Sequence, residues 1–300
     1  PRGYAGLAGL MSQDRAGTFY FNPRTHDDGE KTVLGHKIPA GGGIKDGLAV
    51  LDILAHHPST ARHIAKKLCQ RFVSDNPSPA LVARVAEAYT KSDGDIRETL
   101  RAVFSSPEFN SAEAYRAKIK QPFELVVSAL RALGGDTNGG PGIHQWIARM
   151  GQPLYGYQTP NGYADVAEAW VSTGSLLERL NFALALASNK IPGTRVDLAR
   201  FVGDAAANGP QVDKRRVLDR FVEIVLQGNI SPKTKETLLK QLSEQATAPT
   251  AKTEPDKAAD SQANPRAARR EIARNDATVG NPEVTRIVGL ILGSPEFQRQ

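Results

Sequence analysis

The chain has 300 residues, 40% of them apolar, and a formal net charge of +6 from 38 basic and 32 acidic side chains. That length allows one large domain or two ordinary ones, and the mixed, mildly basic balance excludes the dense charge of a dedicated nucleic-acid binder. The single cysteine, Cys69, excludes an intrachain disulfide, a thiolate zinc site and a c-type haem attachment.

Residues 1–18 are Gly-rich and read as an irregular lead-in. Phe19, Tyr20 and Phe21 alternate as in a strand, and Lys31–Ile38 reads as its return strand, so a small β-hairpin is expected near the N-terminus. After the PAGGG break at 39–43 the periodicity turns helical, first through Leu48, Leu51, Leu54 and Ala55. Pro58 opens a second helix. Ile64, Ala65, Leu68, Cys69 and Phe72 fill one arc of it, and Arg62, His63, Lys66, Lys67, Gln70 and Arg71 fill the other. That placement makes Cys69 a core residue rather than a nucleophile. The basic arc lacks interleaved aromatics, which argues against a nucleic-acid platform.

A third helix is expected over Leu81–Tyr89, and a fourth, capped by Asp93 or Asp95, carries Ile96, Leu100, Val103 and Phe104 on its core face. A long helix follows over Pro122–Leu133, with a start as early as Ala112, and Gly134 and Gly135 stop it. A short helix over Ile143–Met150, a long one over Asp165–Ala187, and helices over Val196–Val202 and Val212–Leu226 complete the pattern. In the long one Trp170, Leu176, Leu177, Leu180 and Leu184 are expected to face the core. Ser231 caps the next, with Pro232 in its first turn.

Residues 244–280 hold almost no large apolar groups and read as a disordered linker or insert. Order returns at Pro282 in a last helix expected to dock back on the 19–243 domain. Its VTRIVGLILGSPEF echoes IRETLRAVFSSPEF at 96–109, each Ser-Pro-Glu reading as a cap and helix start. The predicted fold is mainly α, one multi-helix domain with a small hairpin. No run of 18 apolar residues occurs, so no transmembrane segment is expected.

The densest group of ionisable residues is the loop Pro23–Glu30. Arg24, His26, Asp27, Asp28 and Lys31 are candidate binding residues, and with Glu30 the acids and His26 supply metal-type ligands. A cation would need further ligands, from His56 or His57. On the competing structural reading, Asp28-Gly29 makes a turn, Asp27 caps loop amides, and Arg24 and Lys31 pair with the carboxylates. His57 is either a cap across the helix junction or a ligand. Tyr155, Tyr157 and Tyr163, in a Gly- and Pro-rich loop ahead of Trp170, suit a polysaccharide or protein partner, or else bury the loop. No GxSxG, HExxH or GxGxxG motif is present, and PAGGGIKDG lacks the ending of a phosphate loop. The residues name no cofactor and leave open whether the chain is an enzyme.

Several segments resemble one family in order: FNPRTHDDGEKTVLGHKIPAGGG, DGLAVLDILAHHPSTARHIAKKLCQRFVSDNPSPALV, SDGDIRETLRAVFSSPEF, KQPFELVVSALRALG and MGQPLYGYQTPNGYADVAEAWVSTGSLLERLNFA. Together with the closing GLILGSPEFQRQ they are similar to the bacterial domain-of-unknown-function family numbered 1800. The resemblance implies a further N-terminal half before Pro1, in contact with this part, and a periplasmic or secreted location. It transfers no catalytic residue. A helical scaffold or binding module of an exported protein is the leading expectation. The other is a metal-dependent or hydrolase-like enzyme acting on an extracytoplasmic polymer, its site shared with that missing half.

Overall fold

The computed structural model describes residues 19–202, 213–244 and 281–300. The lead-in at 1–18 and the insert at 244–280 lie outside the described residues, except Glu244, the last residue of a helix. The chain is mainly α with one small antiparallel hairpin near the N-terminus, as the periodicity predicts. It divides into two compact units, residues 1–66 with 82–102, and residues 67–81 with 103–300. Among the described residues no helix is long and apolar enough to cross a membrane.

The hairpin of the first unit is made by β1 (Lys31–Val33) and β2 (His36–Ile38), in the register Lys31↔Ile38, Thr32↔Lys37 and Val33↔His36. Leu34 and Gly35 form its two-residue turn with φ of +49° and +82°, the backbone that a right-twisted hairpin requires. The strand expected at 19–22 is absent. Asn22 instead caps a 3-10 turn at Pro23–Thr25, accepting from the Arg24 amide at 3.0 Å. Pro23 lacks the N–H that continued pairing would need, and Phe19 stays 82% exposed.

Helix α1 (Ile44–Ala55) forms where Leu48, Leu51 and Leu54 place it, yet these three are 57%, 63% and 43% exposed. Periodicity predicted the helix, but its apolar stripe meets no described core. Next come α2 (Pro58–Phe72), α3 (Pro79–Lys91) and α4 (Ile96–Phe104). Gly94, with φ +80°, ends α3 by donating its N–H back to the Tyr89 carbonyl at 2.8 Å. Asp95 rather than Asp93 then caps α4, accepting from the Arg97 and Glu98 amides at 2.7 and 3.2 Å.

The second unit holds α5 (Pro122–Ala132), β3 (Asp136–Thr137), α6 (Pro141–Arg149), α7 (Thr173–Ala187), β4 (Thr194–Arg195), α8 (Ala199–Val202), α9 (Lys214–Leu226), α10 (Pro232–Glu244) and α11 (Pro282–Leu292). Helix α11 packs on α7 and α9. Phe182, Leu186, Leu218, Phe221, Ile287 and Ile291 are fully buried in that core. The approach of α11 to α7 needs Gly289, since a Cβ there would stand 2.5 Å from Leu184 Cδ2.

Several boundaries differ from expectation. Helix α5 starts at Pro122, not near Ala112, because Gln121 and Glu124 form a capping box. Helix α7 starts at Thr173, not Asp165: Ser172 accepts from the Ser175 amide at 3.1 Å, after a 3-10 turn at Ala167–Ala169. Its buried face is therefore Arg179, Phe182, Ala183, Leu186 and Ala187, while Leu176 and Leu177 are exposed and Trp170 is buried outside the helix. At Val196–Val202 the helix shortens to Ala199–Val202 because Thr194–Arg195 pair with β3. Finally, α9 starts at Lys214 behind its cap Asp213.

The echoed sequences adopt one local structure. Ser106 and Ser294 each donate their N–H to a carbonyl three residues back, Val103 at 3.1 Å and Ile291 at 3.0 Å. Their Oγ atoms accept from Phe109 N and Phe297 N at 3.2 and 3.4 Å. The side-chain amides of Asn110 and Gln298 then close on the Phe104 and Leu292 carbonyls at 3.2 and 2.9 Å. The serine caps a single closing turn, and no helix follows it, because that turn is spent satisfying the carbonyl ends of α4 and α11.

Candidate functional site

In the first unit, the ionisable loop converges on a residue that the sequence did not single out. Asp46, in the first turn of α1, is only 4% exposed. It accepts from His26 Nε2 at 3.0 Å and Lys31 Nζ at 2.9 Å. The Lys31 bond chiefly holds its carboxyl below the ordinary value; burial opposes this and the His26 bond adds to it. Lys31 also donates to the carbonyls of Asp27 and Gly29, so all three of its N–H bonds are used. Asp27 Oδ1 accepts from the Gly29 amide at 2.9 Å, and the His26 ring meets Phe21 edge-on at 5.3 Å. Arg24 and Asp28 remain exposed. An acid three residues past a Gly-Gly-Gly break, in a first helical turn, was the available signal for Asp46.

His57 Nδ1 accepts from the Ser59 amide at 3.1 Å across the α1–α2 junction. His56 bonds the Asp52 carbonyl at 2.9 Å and Asp93 Oδ1 at 2.7 Å. Both contacts raise its pKa, the Asp52 bond most. Among the described residues, no three His, Cys, Asp or Glu side chains group closely enough to hold a metal ion.

The second unit carries a polar network that sequence reasoning missed, although all its residues but Lys118 lie in segments that carry the resemblance. Lys67 pairs with Asp165 Oδ2 at 3.2 Å, Arg71 with Glu124, and Lys118 with Asp75. Gln121 Nε2 donates to Asp165 Oδ1 at 3.1 Å, and its Oε1 accepts from Gln152 Nε2 at 2.9 Å. Asp75 Oδ2 accepts from the Ala167 amide at 2.7 Å, and Lys118 also bonds the Asp165 carbonyl. Gln152 Oε1 accepts from the Phe123 amide at 2.8 Å. Residues 152 and 165, the two ends of the aromatic loop, are thereby tied to one cluster. Its spacing spreads over four segments, so no local pattern reveals it.

Between those anchors Tyr163 packs at a tilt against Tyr157, ring centroids 4.6 Å apart, and against buried Trp170 at 5.7 Å, and donates its hydroxyl to the Pro153 carbonyl at 2.6 Å. Trp170 Nε1 donates to the Ala164 carbonyl at 2.9 Å. Tyr163 is thus part of the brace, whereas Tyr157 is 44% exposed and Tyr155 wholly exposed at 106%. Tyr155 also has φ of +57°. Left-handed backbone at a non-glycine residue costs roughly 1–2 kcal/mol.

Two of the open clefts among the described residues lie in this unit. The larger, of about 810 Å³, is lined by Phe72, Phe109, Tyr115, Arg71, Arg116 and Lys118. The smaller, of about 400 Å³, is lined by Lys120, Phe123, Val127, Arg131, Val225 and Phe297 among others. Burial pushes the Lys120 amine down to about 8, with Arg116's charge acting in the same direction. Burial likewise brings the guanidinium of Arg179 down to about 10; it donates to Gln298 Oε1 at 2.7 Å and to the Lys120 carbonyl at 2.9 Å.

A family model described as "Protein of unknown function (DUF1800)" matches residues 4–299, essentially the whole chain. Comparison with curated proteins and with solved structures finds no match.

Proposed function

We propose, for a chain that belongs to the DUF1800 family, that the protein is a helical binding module of an exported bacterial protein, whose ligand face is the aromatic loop at 152–165. One observation carries this reading: the loop is clamped at Gln152 and Asp165, yet presents Tyr155 wholly to solvent on a left-handed backbone. An exposed tyrosine, on a loop tied at both ends and held against both a solvation and a conformational cost, is what a binding face needs. A tyrosine ring has few side-chain torsions to order on contact, and a flat ring with a hydroxyl at its edge fits the C–H face and hydroxyls of a sugar. A polysaccharide is therefore the proposed partner. The extracytoplasmic location rests on the family resemblance.

The carboxylates support binding over turnover. Asp46, Asp75, Glu124 and Asp165 each accept from a cation or a fixed amide. A general base needs an oxygen free to take a substrate proton; both oxygens of Asp75, Glu124 and Asp165 are engaged, and Asp46, bonded through Oδ2, is buried under its loop. His26 meets Asp46, Asp27 turns back on Gly29, and His56 meets Asp52 and Asp93.

Affinity electrophoresis through gels containing soluble polysaccharides of different linkage tests the reading. Retardation of the wild-type protein by at least one, relieved in Tyr155→Ala with Tyr157→Ala, is the expected result. Equal mobility of wild type and double variant in every gel overturns it.

A further inference from the structure

Lys120 differs from the two lysines nearest it in the network. Lys67 and Lys118 each reach a carboxylate. Among the described residues Lys120 reaches none: its Nζ donates to the Phe297 carbonyl at 2.8 Å and stands 4.0 Å from the centroid of the Phe297 ring. The acid on the same wall, Glu124, is already engaged by Arg71, the Gln121 amide at 2.8 Å and Gln300 Nε2 at 3.1 Å. Lys120 is anchored at its backbone too, donating N–H to the Gln298 carbonyl at 2.8 Å and accepting from Arg179. Its side chain lines the 400 Å³ cleft beside Phe123, Val127 and Val225.

We propose that Lys120 is a nucleophilic lysine and the site of Nε-acylation by small activated acyl donors of the thioester class. The neutral amine adds its lone pair to the thioester carbonyl carbon. The C–S bond then breaks, the thiolate leaves with the electron pair and takes the proton that the amine gives up, and a neutral amide remains. Nothing is oxidised or reduced. The apolar wall accepts the short acyl chain, and loss of the charge removes the penalty of holding an ammonium there.

The groups that face the amine act in both directions. Burial and the charge of Arg116 favour the neutral form; Glu124 favours the charged form, as do the Phe297 carbonyl and ring face that Nζ meets. Arg131 shares the cleft and Arg179 bonds the Lys120 carbonyl. Among the described residues no carboxylate pairs directly with the amine, and Glu124, the acid in the cleft, is taken up by Arg71, Gln121 and Gln300.

Competitive labelling of the intact protein with trace acetic anhydride between pH 6 and 10, read by peptide mass spectrometry, measures both reactivity and titration. At pH 7.5 Lys120 is expected to label about ten-fold faster than exposed Lys45, Lys66 and Lys233, with its half-maximal rate near pH 8. In urea its rate should fall to theirs. A small S-acetyl thioester should acetylate Lys120 before those three. Labelling no faster than the exposed lysines at pH 7.5, a half-maximal rate above pH 10, or first acetylation elsewhere overturns the proposal.

Discussion

Asp46 Oδ1 occupies the place that a Cβ on Gly42 would take: the two positions are 1.9 Å apart. Gly42 has to be glycine for the carboxylate to lie under the loop, and the carboxylate has to lie there to hold His26 and Lys31. Gly42→Ala should therefore act like Asp46→Asn. Both should lower the melting temperature more than His26→Ala, because they release the Lys31 ammonium as well. Because Asp46's folded pKa lies below its ordinary value, its stabilisation is present above about 3.8 and is lost as pH falls through the folded value. A thermal melting series from pH 7 to pH 3 should show that acid loss in the wild type and a weaker one in Asp46→Asn.

His56 shifts in the opposite direction. Its folded pKa is raised by the Asp52 carbonyl and by Asp93. Its stabilisation is thus complete below the unfolded value of about 6.5 and is lost as pH rises through the folded value. An NMR titration of its ring protons should give a pKa above 6.5, and Asp93→Asn should bring it down.

The two glycines at 47 and 289 should respond with opposite signs. Nothing lies within 4 Å of a Cβ at Gly47 in α1, so Gly47→Ala should stabilise by about 0.5–1 kcal/mol through helix propensity. Gly289→Val drives a branched side chain into Leu184 and should destabilise by about 1–3 kcal/mol. Urea denaturation of both variants checks the pair.

Loss of the loop clamp should be visible in the loop backbone. Asp165→Ala removes the acceptor of Lys67 and Gln121 and should cost about 1–3 kcal/mol. Hydrogen exchange should quicken over residues 153–164, while protection in α7 and α11 holds.

How much of this was legible follows from range. Helices were readable because their period is local: Ser231–Pro232 and Pro282 start α10 and α11, and Leu48, Leu51 and Leu54 mark α1. Burial was less so. The stripe on α1 is exposed, and α7 buries Arg179 while exposing Leu177, because the neighbouring elements decide which face is covered. Aromatic alternation at 19–21 mimicked a strand until Pro23 ended it. The loop at 23–30 advertised ionisable residues, but their acceptor, Asp46, lies beyond a glycine break. Asp75 comes from one distant segment and Lys118 and Gln121 from another, so only the fold brings them to Asp165 and the aromatic loop.

The most direct test of the binding role is calorimetric titration of wild type, Tyr155→Ala and Tyr115→Ala with the polysaccharide that retards the wild type most. Tyr115 is also exposed, at 64%, but lies outside the loop. The loop account predicts that Tyr155→Ala weakens binding about ten-fold or more, one stacking contact of roughly 1.4 kcal/mol, and that Tyr115→Ala binds as the wild type does. Equal affinity of wild type and Tyr155→Ala would contradict it.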